Sequence, residues 1–241
     1  MRLSTRPDYI NEDILETLRK YNVRTIEIGV QSLDSEVLRI SQRGHGIREV
    51  AEAARLIKDY GFRLGIQTMI GLPGDTREKD IITAQKVVEF NPEVVRIYPT
   101  LVIKNTKLES MYKNGEYSPL TVDEAVDICA HLLEIYKENG INVIRIGLQP
   151  TEEIREGAEV VAGPFHPAFR QLVESRLMLK KIEEMIERMQ LGGSREITVF
   201  APEKELSYIT GQKRCNIKSL KEKYGFSKIR IIKSNEFRIA N

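Results

Sequence analysis

The residues best able to do chemistry fall at the ends of apolar runs. Glu27-Ile28-Gly29-Val30-Gln31-Ser32, Gln67-Thr68-Met69-Ile70 leading into Gly71-Leu72-Pro73-Gly74, and Arg96-Ile97-Tyr98-Pro99-Thr100 each put amides, hydroxyls or charges there. Such groups hold polar ligands. Polar strand ends mark a site in parallel α/β proteins, although a solvated rim has the same composition. His45, between Gly44 and Gly46, is the histidine best placed for function, whereas His131 falls inside a helical pattern and reads as structural. Phosphate binding is open to Lys213, Arg214 and Lys218. Several common chemistries are excluded. There is no G-x-x-x-x-G-K-[ST] loop and no G-x-S-x-G, and Gly44-His45-Gly46 has Glu49 where a dinucleotide loop needs its third glycine. Three scattered histidines and two distant cysteines, Cys129 and Cys215, give neither a metal-ligand spacing nor a disulfide framework.

Alternating helical and strand periods must position these residues. Ile10, Ile14, Leu15, Leu18 and Tyr21 share one helical face. Residues 25–30 alternate, with Ile26, Ile28 and Val30 on one side and Glu27, Gly29 and Gln31 on the other. Val50, Ala53, Ala54 and Ile57 restore the helical period up to Gly61, and residues 62–70 form the next strand. Asp75 with Glu78, and Thr121 with Glu124, read as capping boxes of two further helices. Residues 94–98 and 141–148 complete a β-α-β-α order with short connections. That order predicts an α/β fold with a parallel sheet, either a partial or closed β/α barrel or an open doubly wound sheet.

The chain has 241 residues, 41% hydrophobic and 30% charged, with 37 Lys and Arg against 35 Asp and Glu. This excludes intrinsic disorder. No apolar run approaches the roughly 18 residues of a membrane span, and Arg2-Leu3-Ser4-Thr5 is not a signal segment, so a reducing, cytoplasmic setting is expected. Residues 195–241 carry 11 basic and 5 acidic side chains, whereas residues 1–194 carry 26 basic and 30 acidic ones. The change falls at Leu191-Gly192-Gly193-Ser194, which predicts a small basic domain over 195–241. Such a segment is either a polyanion-binding surface or a solvated lysine-rich one.

Taken in order, Glu27 to Asp34, Val37-Leu38, Arg43-Gly44-His45 and Gly71-Leu72-Pro73-Gly74 resemble the radical S-adenosylmethionine superfamily. Thr5-Arg6-Pro7-Asp8 and the run Ile97-Tyr98-Pro99-Thr100-Leu101-Val102-Ile103 make residues 1–148 similar to the catalytic subunit of Elongator, a tRNA wobble-uridine modifying enzyme. Oxygen-independent coproporphyrinogen III oxidase is similar to a lesser degree. The resemblance implies a partial TIM-like barrel, S-adenosylmethionine, a 4Fe-4S cluster, and reductive cleavage to a 5′-deoxyadenosyl radical. It implies that Gln31 lies near the ribose and amino-acid portion, that Arg43 pairs with the carboxylate, and that Thr68 and Ile70 line the cofactor site. The family's C-x-x-x-C-x-x-C loop has no counterpart in this sequence, so the cluster is not expected to be bound by this chain and no metal-ligating residue is assigned. Arg2 to Thr5 match the family's third barrel strand, which implies a C-terminal fragment lacking two strand–helix units. Ser4 and Thr68 stand where the oxidase has acidic residues, and Gln67 where Elongator relatives have a histidine. Glu27 faces inward by parity, as a site carboxylate or a satisfied core one.

Residues 149–190, including Gln149-Pro150-Thr151 and Gly163-Pro164-Phe165-His166-Pro167, resemble the post-barrel region of bacterial Elongator-like proteins. His166 is read there as a structural turn. Leu172, Val173, Leu177, Leu179, Ile182 and Ile186 predict a helix packing back on the barrel. The tail around Gly211-Gln212-Lys213-Arg214 resembles a KH-type RNA-binding turn, with Arg214 in place of the second glycine. The expected function is that of a radical S-adenosylmethionine enzyme fragment acting on tRNA or another RNA. The alternatives are a porphyrin-modifying oxidase relative and a non-catalytic RNA-binding scaffold. No acetyl-CoA domain is expected, and the open strand edge at residues 2–5 implies a homodimer or a domain swap.

Overall fold

Apolar–polar alternation builds the strands of the computed structural model, which describes residues 1–149 and 159–241. In chain order they are β1 (Arg2–Thr5), β2 (Thr25–Gln31), β3 (Arg63–Ile70), β4 (Val94–Pro99), β5 (Val102–Ile103), β6 (Asn142–Ile146) and β7 (Val160–Ala162) in a first unit, Met1–Pro167. Strands β1, β2, β3, β4 and β6 pair in parallel in that order, while β5 and β7 form a separate antiparallel pair. The order follows the chain without reversal, so each crossover returns on the same side of the sheet. This is the winding of a β/α barrel wall. A doubly wound sheet would reverse its order at a switch point. Pro150 and Thr151 of the post-barrel motif lie outside the described residues.

The helices of this unit are α1 (Glu12–Lys20), α2 (Ser35–Ile40), α3 (Ile47–Asp59), α4 (Arg77–Glu89), α5 (Lys107–Lys113) and α6 (Val122–Glu138). Ile26, Ile28, Val30, Leu64, Ile66, Ile70, Val95 and Ile97 are buried on the side of the sheet opposite Glu27 and Gln67. Val50, Ala54 and Ile57 of α3, Val87 of α4 and Leu132, Leu133 and Tyr136 of α6 are buried with them. At about 1.5–3 kcal/mol per large side chain, this layer dominates the unit's stability. Thr121 caps α6 and forms the expected box with Glu124. The cap of α4 is Thr76 rather than Asp75: Thr76 Oγ1 accepts from the Lys79 N–H at 3.3 Å. Asp75 instead accepts the Thr76 N–H at 2.9 Å and is half-buried.

The second unit, Ala168–Asn241, holds α7 (Phe169–Arg188), β8 (Glu196–Ala201), α8 (Leu206–Thr210), α9 (Cys215–Tyr224), β9 (Lys228–Lys233) and β10 (Arg238–Ala240). Its sheet order is β10-β8-β9, with β8 parallel to β9 and antiparallel to β10. Ile197, Val199, Ala201 and Ile239 share one core with Met178, Ile182 and Ile186 of α7, Ile209 of α8 and Leu220 of α9. The helix expected to pack on the barrel thus gives Ile182 and Ile186 to the core of the second unit. The compact unit begins at Ala168, ahead of the glycine joint at residues 191–194 where the charge changes.

Candidate functional site

The face of the parallel sheet away from its apolar layer is polar. Register places Ser4 beside Glu27, Gly29 beside Gln67, and Gln67 beside Arg96. The Glu27 carboxylate is fully buried. Arg96 Nη2 donates to Glu27 Oε1 at 3.0 Å, while Arg96 Nε lies 2.7 Å from Oε2 in an ion pair too poorly aligned to be a hydrogen bond. Arg2 Nε adds a contact at 3.3 Å. Gln67 Nε2 donates to Glu27 Oε2 at 3.0 Å and to Ser4 Oγ at 2.9 Å. Gly65 makes room for this network, since a Cβ there would lie 2.5 Å from Glu27 Cγ. Glu27 is thus a satisfied buried carboxylate that fixes Arg96 and Gln67 on the open face.

The expected cofactor residues separate into two groups. Gln31 ends β2 at a bulge with φ 65°, and its amide folds over Gly29: a Cβ on Gly29 would meet Gln31 Nε2 at 2.6 Å. Gln31 therefore reaches the open face. Arg43 follows α2 and borders a cavity of about 330 Å³ lined in part by Met69, Leu72, Thr100, Leu101 and Met111. Its Nη2 is 3.8 Å from Met69 Sδ. Burial, and then Arg6, push the Arg43 guanidinium below its ordinary value, and among the described residues no carboxylate offsets them. Arg6 itself is held by Asp8 at 2.9 and 2.7 Å.

Thr68 and Ile70 stand elsewhere. Both are buried on the helix-covered side, where Thr68 Oγ1 donates to the Arg96 carbonyl at 3.4 Å. The strand's open-face positions are Gln67 and Met69. The resemblance, not the residue pattern, points to this pair; β3 turns Thr68 and Ile70 toward the helices and Met69 toward the cavity. Their neighbours Gly65 and Glu27 carry the signal that sets the parity. His45 Nε2 lies 3.3 Å from the Val30 carbonyl, which ties the loop to the end of β2. His131 lies within α6, and His166 is half-buried in the turn before α7.

Below the Gly71-Leu72-Pro73-Gly74 turn, Asp75 and Asp80 share a buried site. Burial and the Asp75 charge push the Asp80 carboxyl up to about 10, so Asp80 is protonated at neutral pH and hydrogen-bonds Asp75. Among the described residues Asp75 Oδ2 and Asp80 Oδ2 are buried with no hydrogen-bond partner beyond each other, an arrangement that one proton held between the two carboxyls would satisfy. In the second unit, Lys213, Arg214 and Lys218 are exposed around the start of α9. Lys213 (φ 50°) and Arg214 (φ 63°) both adopt left-handed backbone. Gly211 (φ 71°) closes the turn, because a Cβ there would lie 2.6 Å from Cys215 Sγ. Asn216 Nδ2 anchors it by donating to the Ser175 and Tyr208 carbonyls at 2.8 and 2.9 Å.

These residues fit S-adenosylmethionine in part: an arginine with no carboxylate partner among the described residues, an apolar cavity wall, and amides at the strand ends. They do not fit a 4Fe-4S cluster, which needs a thiolate set. Cys129 is buried in α6 with its thiol pushed up by burial and Asp80, Cys215 is in the other unit, and the described residues contain no grouping of three candidate ligands.

A singly wound parallel β/α wall, with a polar uncovered face and an arginine-bordered cavity at its strand ends, is the architecture of a partial β/α barrel. The Radical SAM superfamily model matches residues 1–87 and the Radical_SAM C-terminal domain model matches residues 92–179; the chain belongs to the radical SAM superfamily. It is 36% identical over 136 residues to a tRNA uridine(34) acetyltransferase of Methanocaldococcus jannaschii, covering 55% of this chain and 25% of that protein. It is 37% identical over 136 residues to Elongator complex protein 3 of Saccharomyces cerevisiae, covering 55% and 24%. The chain thus spans about a quarter of the length of these relatives. Among solved structures, an N-terminally deleted Elp3 from Methanocaldococcus infernus is similar with TM-score 0.63 and 28% identity, covering 81% of this chain and 44% of that one. Coproporphyrinogen III oxidase from Escherichia coli shares the fold, with TM-score 0.51, 19% identity, and 74% and 38% coverage.

Proposed function

We propose that this chain forms the later barrel strands of a radical SAM enzyme, holds S-adenosylmethionine on its open face, and acts on tRNA or another RNA. The observation that carries this reading is Arg43, half-buried at the cavity with no carboxylate beside it among the described residues. Arg43 would take the ligand's carboxylate, Gln31 its ribose or amino-acid portion, and Met69 would pack on its apolar part. When bound in this superfamily, the cofactors supply radical chemistry. No cluster ligand and no step through the cluster is assigned to these residues. The tRNA assignment rests on the names of the relatives and on Lys213, Arg214 and Lys218, whose charges suit phosphates as sequence-independent positioning contacts.

A second reading, a non-catalytic RNA-binding protein that kept the barrel wall, is favoured by the cysteine content. A cytoplasmic setting suits the free Cys129 and Cys215. The described sheet pairs β1 with β2 alone, and its other edge would pair with a second copy. Equilibrium dialysis with labelled S-adenosylmethionine, run with and without tRNA, tests the first reading. Saturable binding of both ligands supports it. Binding of tRNA alone favours the scaffold, and binding of neither ligand overturns both readings.

A further inference from the structure

The second unit has a sheet with one covered face and one open face. Ile197, Val199 and Ile239 point into the core. The intervening positions Glu196, Thr198 and Phe200 on the central strand β8 are only half-buried. Register places Phe200 between Arg238 of β10 and Ile232 of β9, and Thr198 beside Arg230. The Arg238 guanidinium carbon lies 3.7 Å from the centre of the Phe200 ring, at stacking distance. Lys228, Arg230, Ile232 and Arg238 are exposed. The face carries one carboxylate, Glu196, which Arg230 neutralises at 2.7 Å.

An aromatic ring at the centre of an open sheet, flanked by cations, has a specific chemical complement. The ring and the guanidinium plane stack on flat π-systems, and the surrounding charges favour a polyanion. Isolated edge-strand lysines serve mainly to prevent strand pairing, but that purpose does not call for a phenylalanine on the central strand. We propose that the open face of β10-β8-β9 is a stacking platform for single-stranded RNA. One base stacks on the Phe200–Arg238 pair, while Arg230 and Lys228 meet the adjoining phosphates. This surface lies across the sheet from α7, α8 and α9, and so is separate from the Lys213–Arg214 turn. The inference rests on the RNA reading above and assigns the base-contacting surface within it.

The test uses the full chain and a fluorescein-labelled ten-nucleotide single-stranded RNA of mixed sequence containing 4-thiouridine. Anisotropy gives affinity as a function of salt, and photocrosslinking with mass spectrometry gives the contact residue. The expected result is a loss of about five- to a hundredfold for Phe200→Ala with an unchanged salt slope, retention by Phe200→Trp, and crosslinks on the peptide containing Phe200. Arg238→Ala weakens binding and also lowers the salt slope. Unchanged affinity in Phe200→Ala, with crosslinks confined to residues 213–218, overturns the platform and leaves the RNA reading standing. No binding by the unsubstituted chain at low salt overturns both. Concentration-dependent self-association abolished by Phe200→Ala assigns the face to a second copy and overturns the platform. Because Phe200 is half-buried outside the core, its variants should fold, and far-ultraviolet circular dichroism verifies that they do.

Discussion

Glu27 on β2 and Arg96 on β4 pair across the intervening strand β3, at 2.7 Å between Arg96 Nε and Glu27 Oε2. They meet because Gly65 on β3 has no side chain to separate them. The carboxylate is fully buried and also holds Gln67. The pair sets the polar face of the sheet.

Removing one partner of a buried pair leaves the other uncompensated. Arg96→Ala strands the fully buried Glu27 carboxylate and should destabilise the chain by about 3 kcal/mol in urea unfolding, with Glu27→Ala costing less because the arginine it leaves behind is partly exposed. Gly65→Ala should also destabilise it, by forcing Glu27 aside. Arg96→Ala with an unchanged urea midpoint would show that the network adds nothing to stability.

The Asp75–Asp80 pair predicts a pH dependence. The unfolded chain ionises Asp80 near its ordinary value of 3.8, and the folded chain keeps the proton up to about pH 10. Between those limits the folded state binds the extra proton, so this contribution makes stability fall as pH rises. Asp80→Asn removes the titration while keeping a donor for Asp75. It should raise the Tm at pH 8–9 relative to the unsubstituted chain, and the gap should close toward pH 4. A gap independent of pH would contradict the shared proton.

In the second unit, Asn216 ties the start of α9 to α7 and α8 through two hydrogen bonds. Asn216→Ala leaves two buried carbonyls without this donor and should cost about 1–3 kcal/mol. Gly211→Ala should cost a similar amount, since it combines a left-handed backbone with a clash at Cys215. Differential scanning calorimetry should show the transition of the second unit moving to lower temperature in both variants. An unmoved transition would assign the anchoring elsewhere.

Salt dependence separates the turn from the platform. Lys213→Ala and Arg214→Ala should each lower the slope of log affinity against log salt for tRNA by about one, uniformly across RNA sequences. A slope unchanged in the double variant would remove the turn from the RNA surface.

Much of the first unit was legible in the sequence because strand and helix periods differ and its connections are short. The choice between barrel wall and doubly wound sheet was not, since both share one period and only the strand order separates them. Glu27 and Gln31 were placed correctly by parity. Thr68 and Ile70 were assigned by resemblance rather than parity, and they lie on the covered side of β3, whose open side carries Gln67 and Met69. The apolar stripe of α7 fits any apolar surface, so Ile182 and Ile186 could not announce their core. Asp75 and Thr76 are adjacent capping types, and only the turn geometry decides between them. The Phe200–Arg238 contact joins segments 38 positions apart, and no local pattern reports it.

The most direct test of the radical SAM site is calorimetric titration of S-adenosylmethionine into the unsubstituted chain, Arg43→Lys and Arg43→Ala, alongside the decarboxylated ligand. The expected result is binding by the unsubstituted chain, weakening by about tenfold or more in Arg43→Ala, partial recovery in Arg43→Lys, and no effect of the substitution on the decarboxylated ligand. Equal affinity of all three proteins for S-adenosylmethionine, or no binding by the unsubstituted chain, would contradict the assignment of Arg43 and its cavity to the cofactor.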